Sequence, residues 1–362
     1  TSLAIPLAAV SGVTTAGLNA QQRFLVAGCG TLIFNIAVIG ALAAVQHGVG
    51  SPLVMLGVGI AAGATLRLLT QLISLPRDWL LGSVFQTAVD TKFLRGFFLP
   101  ALTPSLILLV PVIVRALAST VTPGAIAALN YATKLVELPA GVLVTSLATV
   151  ALARLSEHRG RGDTVSAMQA FQDGVRRSLS NAIGAGLLIA YFAKTFVELA
   201  LGRGAMEPSA VARVVGLTQI LMTGLPFLAL SSMAIAYLNA KETPSVVLRA
   251  TLWCLLLFPL LALPGMWLGS EKLLAWAVVV FQVLHAFLLA RCSGLTTSDG
   301  MAWCDSKLAK ALLMVVGILA ITFAADQLLN SLALLNSLAQ FVLASVAIVA
   351  VVALPQRAIA LK

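Results

Sequence analysis

Apolar segments of membrane length recur from one end of this chain to the other, and no other feature restricts its fold as much. A run of roughly 20 apolar residues crosses a bilayer as a helix, because hydrocarbon offers no partners for backbone N–H and C=O groups. Eleven such helices are expected, over residues 2–20, 24–45, 52–74, 94–118, 124–153, 178–201, 211–239, 245–268, 273–291, 308–328 and 332–354. With 60% of residues hydrophobic and 10% charged, the expected fold is an all-α polytopic membrane protein with about eleven transmembrane helices. Short turns at 46–51 and 119–124 and a longer polar loop at 156–177 join the spans, and none is large enough for a soluble catalytic domain.

The formal charge of +10 would suit a nucleic-acid partner only if it formed a basic face, but Lys and Arg fall singly or in small groups between apolar runs. The positive-inside bias accounts for them better. With residue 1 outside, 16 of the 23 Lys and Arg lie on the inner side, and three (Arg203, Arg213 and Lys272) on the outer side. Residues 1–20 lack the basic flank of a signal peptide and read as a span, so an outside start points to helices upstream.

Four cations remain inside the spans: Arg67, Arg115, Lys134 and Lys194. A charge at membrane depth costs several kcal/mol unless it is paired, snorkels or faces a watery cavity. Lys194 has Glu198 at i+4 and lies near a helix end, which fits a snorkelling, locally paired lysine. Arg67 is about one and a half turns from its inner end and Arg115 about one turn from its outer end, so both are within reach of headgroups. Lys134 stands about ten residues, or roughly 15 Å, into its helix, beyond comfortable reach of either face. Glu137 at i+3 offers it an internal partner, yet even a neutral pair needs polar surroundings there. Pro139 and Gly141 follow and mark the expected bend of this helix.

Enzyme chemistry finds no foothold, since the chain holds no P-loop, G-x-S-x-G or H-E-x-x-H motif. The four cysteines and three histidines are scattered without metal-ligand spacing, so neither a metal site nor a cofactor is expected. His285, alone on an apolar helix, reads as hydrogen-bonded structure, with a proton relay as the alternative.

Around the embedded cations the chain resembles the MurJ/MviN-type lipid II flippases of the multidrug/oligosaccharidyl-lipid/polysaccharide exporter superfamily. The resemblance rests on Arg115 followed by ALAS (116–119), Gly124, LNYATKLVELPAG (129–141) and the pair Leu155 and Ser156. GLNAQQRF (17–24) leading to Asn35, LALGRGAM (199–206) and AYLNAKETP (236–244) add to it. Two positions depart from the family pattern: Lys134 stands where arginine is usual, and Val114 where an acid is common.

The resemblance implies a fold of two six-helix lobes around a cationic cavity, closed by two helices that groove the lipid tail. On that map the helices match numbers four to fourteen, the first three being absent. Residues 1–76 would be the remaining half of the N-terminal lobe, 93–292 the C-terminal six-helix lobe, and 308–354 the terminal pair. The implied activity is transfer of an undecaprenyl-diphosphate-linked oligosaccharide, lipid II or a related envelope precursor, across the bacterial inner membrane by alternating access. Lys134, Arg115, Arg67, Asn130, Tyr131 and Glu137 are the implied diphosphate and cavity residues. The implied partners are the lipid-linked substrate and membrane lipids, with a coupling ion possible, and the implied state is a monomer. A cation-coupled drug or metabolite antiporter of the same superfamily and a non-transporting remnant are the competing readings.

Overall fold

The computed structural model describes residues 4–21, 23–76, 98, 101–202, 206–295, 304–331 and 337–360, nearly all of them helical. The chain divides into two compact units, Thr1–Val89 and Asp90–Lys362. Arg77, Lys92, Arg95, Arg203 and Lys362 of the charge count, and the starts of the expected 94–118 and 332–354 spans, lie outside the described residues.

The first unit contains α1 (Ala4–Ala20), α2 (Phe24–Gln46) and α3 (Pro52–Ser74). Its packing follows the rule that helices in lipid approach closely through small residues. A methyl group added at Gly59 would sit 2.7 Å from the Ala41 Cβ, and one at Gly63 would sit 2.9 Å from the Phe34 carbonyl oxygen. Polar side chains fasten α1 to α3. Thr14 Oγ1 donates to Gln71 Oε1 at 2.6 Å, and Gln71 Nε2 donates to Thr15 Oγ1 at 2.8 Å.

The second unit opens with α4 (Leu109–Ala118), the end of a helical span over Ala101–Ala118. Next come α5 (Ala125–Pro139), a π-helical segment (Ala140–Thr145) and α6 (Ser146–Gly160), which together run as one helical path of 36 residues. Proline lacks an N–H and its ring presses on the carbonyl four residues earlier. The path answers at Pro139 with the wider π-turn over the six residues that follow. Bends of more than 40° occur elsewhere. One of 68° separates α7 (Thr164–Tyr191) from α8 (Ala193–Leu201), and one of 43° separates α9 (Pro208–Met222) from α10 (Leu225–Ala240). The chain continues with α11 (Pro244–Trp267), α12 (Glu271–Ser293), α13 (Ser306–Ser331) and α14 (Ser337–Ala360).

Among the described residues seven helices are long and apolar enough to span a bilayer, or nine if each bent pair is one span, against the eleven expected. α1, at 17 residues, and the apolar part of α14, Ala339–Pro355, are shorter helices at expected positions. The larger correction concerns 156–177, expected as a loop. It is helical except at residues 161–163. Leu155, Phe171 and Val175 are buried in a cluster with Met233, Tyr237 and Leu289, so tertiary packing holds polar stretches in helices. Asp163 caps α7 by accepting the Ser166 amide at 2.9 Å. Hydrogen bonds from the Ser166 side chain and amide hold its carboxyl below the usual range.

The terminal pair packs on α7, where Gly184 lies under Val315 of α13 and Val351 of α14. Polar groups fix both ends of that contact. Buried Arg176 reaches Asp173 at 2.5 Å and Asp305, just before α13, at 2.8 Å. Toward the other end, Tyr191 donates to Asp326 Oδ2 at 2.8 Å and Gln340 donates to Asp326 Oδ1 at 3.3 Å.

Candidate functional site

Four candidate residues of the second unit, Asn130, Tyr131, Lys134 and Glu137, lie on α5, where the i, i+3, i+4 spacing of a helix sorts them into adjacent stripes. Asn130, Thr133 and Glu137 form one stripe, and Tyr131, Lys134 and Leu138 the next.

The first stripe faces a pocket of about 280 Å³ bounded by α4, α5, α9, α10 and α12. Its polar lining is Arg115, Asn130, Thr133, Glu137, Ser231, Ser232, Gln282 and His285. Arg115 donates from Nε to Asn130 Oδ1 at 2.8 Å, which holds the guanidinium across the turn joining α4 to α5. That turn ends at Gly124, whose φ of 82° is left-handed and suits glycine. Arg213 braces the turn by donating to the Pro123 carbonyl at 3.2 Å and the Thr122 hydroxyl at 3.1 Å, while pairing with Glu271 at 2.6 Å.

The second stripe faces a more open pocket of about 450 Å³, lined by Tyr131, Lys134, Leu135, Glu137, Leu138, Ala200 and Leu201. Here Lys134 Nζ meets Glu137 Oε2 at 2.5 Å, the i+3 partner expected from sequence. The protein leaves this pair uncovered, with side-chain exposures of 69% and 53%. A charged pair on a membrane helix that its own protein does not bury must face water or a polar ligand, since hydrocarbon would cost several kcal/mol. Leu135 and Leu138 also border an apolar groove of about 260 Å³, closed by Pro139, Leu143, Phe196 and Ile348 of α14. Gly141 lies in the π-segment, exposed.

The structure therefore places Arg115 with Asn130, and Lys134 with Tyr131, with Glu137 lining both pockets. Arg67 lies on α3 of the first unit, where its Cγ would be 3.0 Å from a methyl group at Gly30 and its Nε is buried without a partner among the described residues. Lys194 keeps its expected neighbour Glu198 at 3.8 Å. Sequence reasoning passed over Ser231, Ser232 and Gln282, polar residues inside apolar helices. It also missed Asp326, a 4% exposed acid inside the expected 308–328 span.

A profile of the family described as "Lipid II flippase MurJ" matches residues 1–339. The chain belongs to the MurJ lipid II flippase family. A relative described as a probable lipid II flippase MurJ, from Rhizobium meliloti, is 26% identical over 294 residues, covering 74% of this chain and 52% of that protein. The chain thus spans about half the length of that curated MurJ relative. A solved structure of lipid II flippase MurJ in an inward closed conformation superposes with a TM-score of 0.68. It covers 99% of this chain and 73% of its own, at 17% identity, which establishes a MurJ-like fold. The expected resemblance and fold class stand, and the chain is a multi-pass membrane protein.

Proposed function

We propose that this chain acts as a flippase for an undecaprenyl-diphosphate-linked oligosaccharide, lipid II or a related precursor, in the bacterial inner membrane. The observation that carries this reading is the uncovered Lys134–Glu137 pair beside an apolar groove. A diphosphate diester brings about two negative charges and a prenyl chain brings apolar length, so a ligand of this class meets a cation and a hydrocarbon surface side by side. Lys134 is the main diphosphate contact, Tyr131 borders it, and Glu137 occupies the lysine until phosphate displaces it. Arg115, held by Asn130, serves the smaller pocket, and Arg67, in the first unit, is a further proposed substrate contact. The domain reading remains 1–76 as part of an N-terminal lobe, 93–292 as the C-terminal lobe and 308–354 as the terminal pair, with transport across the membrane by alternating access. The protein is a transporter that performs no covalent chemistry and works as a monomer.

Asp326 favours a second reading, cation-coupled antiport, which requires an acid within the spans. Its bonds to Tyr191 and Gln340 use both carboxylate oxygens, which supports a structural role instead.

Complementation tests the main reading. The gene encoding this chain should restore growth to a bacterium depleted of its lipid II flippase, and Lys134→Ala should not. Rescue by both would remove the role given to Lys134, and rescue by neither would remove the function.

A further inference from the structure

His285 stands on α12 with 4% of its surface exposed, yet it lines the pocket that holds Arg115 and Glu137. Its Nε2 lies 3.0 Å from the Thr251 hydroxyl on α11. That hydroxyl also reaches the Val247 carbonyl at 2.9 Å, and a carbonyl can only accept. A hydroxyl has one proton to give, so toward the ring it acts as acceptor. In the neutral histidine Nε2 therefore carries the hydrogen, and Nδ1 is the basic atom.

No hydrogen bond from the described residues reaches Nδ1. The surroundings suit a ring that changes charge. Phe281 stacks on it at a centroid distance of 5.7 Å and an interplanar angle of 20°, a contact that favours an imidazolium. Gln282, which lines the same pocket, has a buried Oε1 that no donor among the described residues reaches. The charged groups facing the pocket are Arg115 from α4 and Glu137 from α5, the latter held by Lys134 on its other side. Among the described residues no side chain of α11 lines the pocket, its Cys254 being buried in the neighbouring apolar cluster, and α9 and α10 contribute Leu221, Leu228, Ser231, Ser232 and Ile235, none of which titrates.

We propose that His285 is a proton-binding site linked to anion binding in this pocket, the proton entering at Nδ1 when a diphosphate group is bound. The inference rests on the diphosphate reading above, in the part that gives Arg115 a share of the diphosphate in the smaller pocket while Lys134 remains its main contact. With Glu137 engaged by Lys134, an imidazolium buried in the same pocket as Arg115 finds no free anion among the described residues and is disfavoured, because an unpaired buried charge is costly. A bound diphosphate offsets the added charge, and linkage makes the effect mutual: the anion raises the ring's proton affinity, and the proton raises the anion's affinity. Where the free ring is neutral and the ligand-bound ring protonated, affinity rises as pH falls, by at most about tenfold per pH unit for one proton.

The test uses UDP-N-acetylglucosamine, a soluble diphosphate diester whose own charge is constant between pH 5.5 and 8, with the membrane-embedded protein labelled with ¹⁵N-histidine. His285→Gln keeps an N–H for Thr251 but cannot titrate, and it identifies the His285 signal against His47 and His158. The expected result is an Nε2–H neutral ring without probe, an imidazolium with it, and affinity rising several-fold per pH unit on acidification in the wild type but flat in His285→Gln. An Nδ1–H tautomer, a ring that stays neutral with probe bound, or the same pH slope in the variant overturns the proposal while leaving the diphosphate reading intact. No binding at any pH overturns the diphosphate reading and this proposal with it. A matched thermal melting profile shows that the variant folds.

Discussion

The two pockets flanking α5 are built on opposite principles. On one stripe, Arg115 is fixed by Asn130, a braced turn supports it, and a buried histidine forms part of the wall. On the next, Lys134 is a long, exposed cation whose ion-pair partner among the described residues is three residues away on its own helix. The first cation is positioned by tertiary structure and the second by local sequence. A preorganised guanidinium gives geometry, and a loosely held ammonium gives charge that can follow a moving phosphate.

The largest expected effect breaks this comparison directly. Lys134→Ala removes the cation and leaves Glu137 facing phosphate alone, so transport in a reconstituted lipid-flipping assay should fall at least about tenfold, the worth of one charged hydrogen bond. Lys134→Arg should keep most of that activity, and equal loss in both would show that geometry rather than charge matters at this stripe. Next in size, Glu137→Gln should tighten diphosphate binding several-fold by releasing Lys134 from its internal partner, measured by titration with a soluble diphosphate diester. A weaker affinity would mean that the carboxylate itself contacts the ligand. Gly124→Ala tests the other stripe. Forcing a left-handed residue to carry a Cβ should cost about 1–2 kcal/mol in thermal unfolding and disturb Arg115 while sparing Lys134. The smallest effect lies far from both pockets, at Asp163. Its lowered carboxyl pKa means that its stabilising contribution is present above the unfolded value and is lost as pH falls through the folded one. Asp163→Asn should therefore melt below wild type at neutral pH and converge with it under acid, followed by circular dichroism.

Much of the fold was legible because hydrocarbon imposes helices on apolar runs, so a helix occupies each expected segment among the described residues. The segment 156–177 misled because its polar residues hide the buried contacts of Leu155, Phe171 and Val175, in a cluster that α10, α11 and α12 complete. The bend at 223–224 has a sequence trace in Gly224 and Pro226, whereas the sharper one at Phe192 has none, since neither glycine nor proline is near it. At the site, the Lys134–Glu137 pair could be read from spacing alone. The pairing of Arg115 with Asn130, and the arrival of His285 from more than a hundred residues away, depend on how α4, α5 and α12 pack.

Arg176 with Asp305 and Tyr191 with Asp326 fasten α13 to α7 near both of its ends. A rod tied at two points cannot slip by one helical turn without undoing both ties together. A slip of one turn that brings Leu308 or Ala309 to the level of Asp305 leaves Arg176 without that carboxylate. Between the two ties Gly184 admits Val315 and Val351 at a single height. The register of the terminal pair is thereby a yes-or-no property of the molecule, with no intermediate settings.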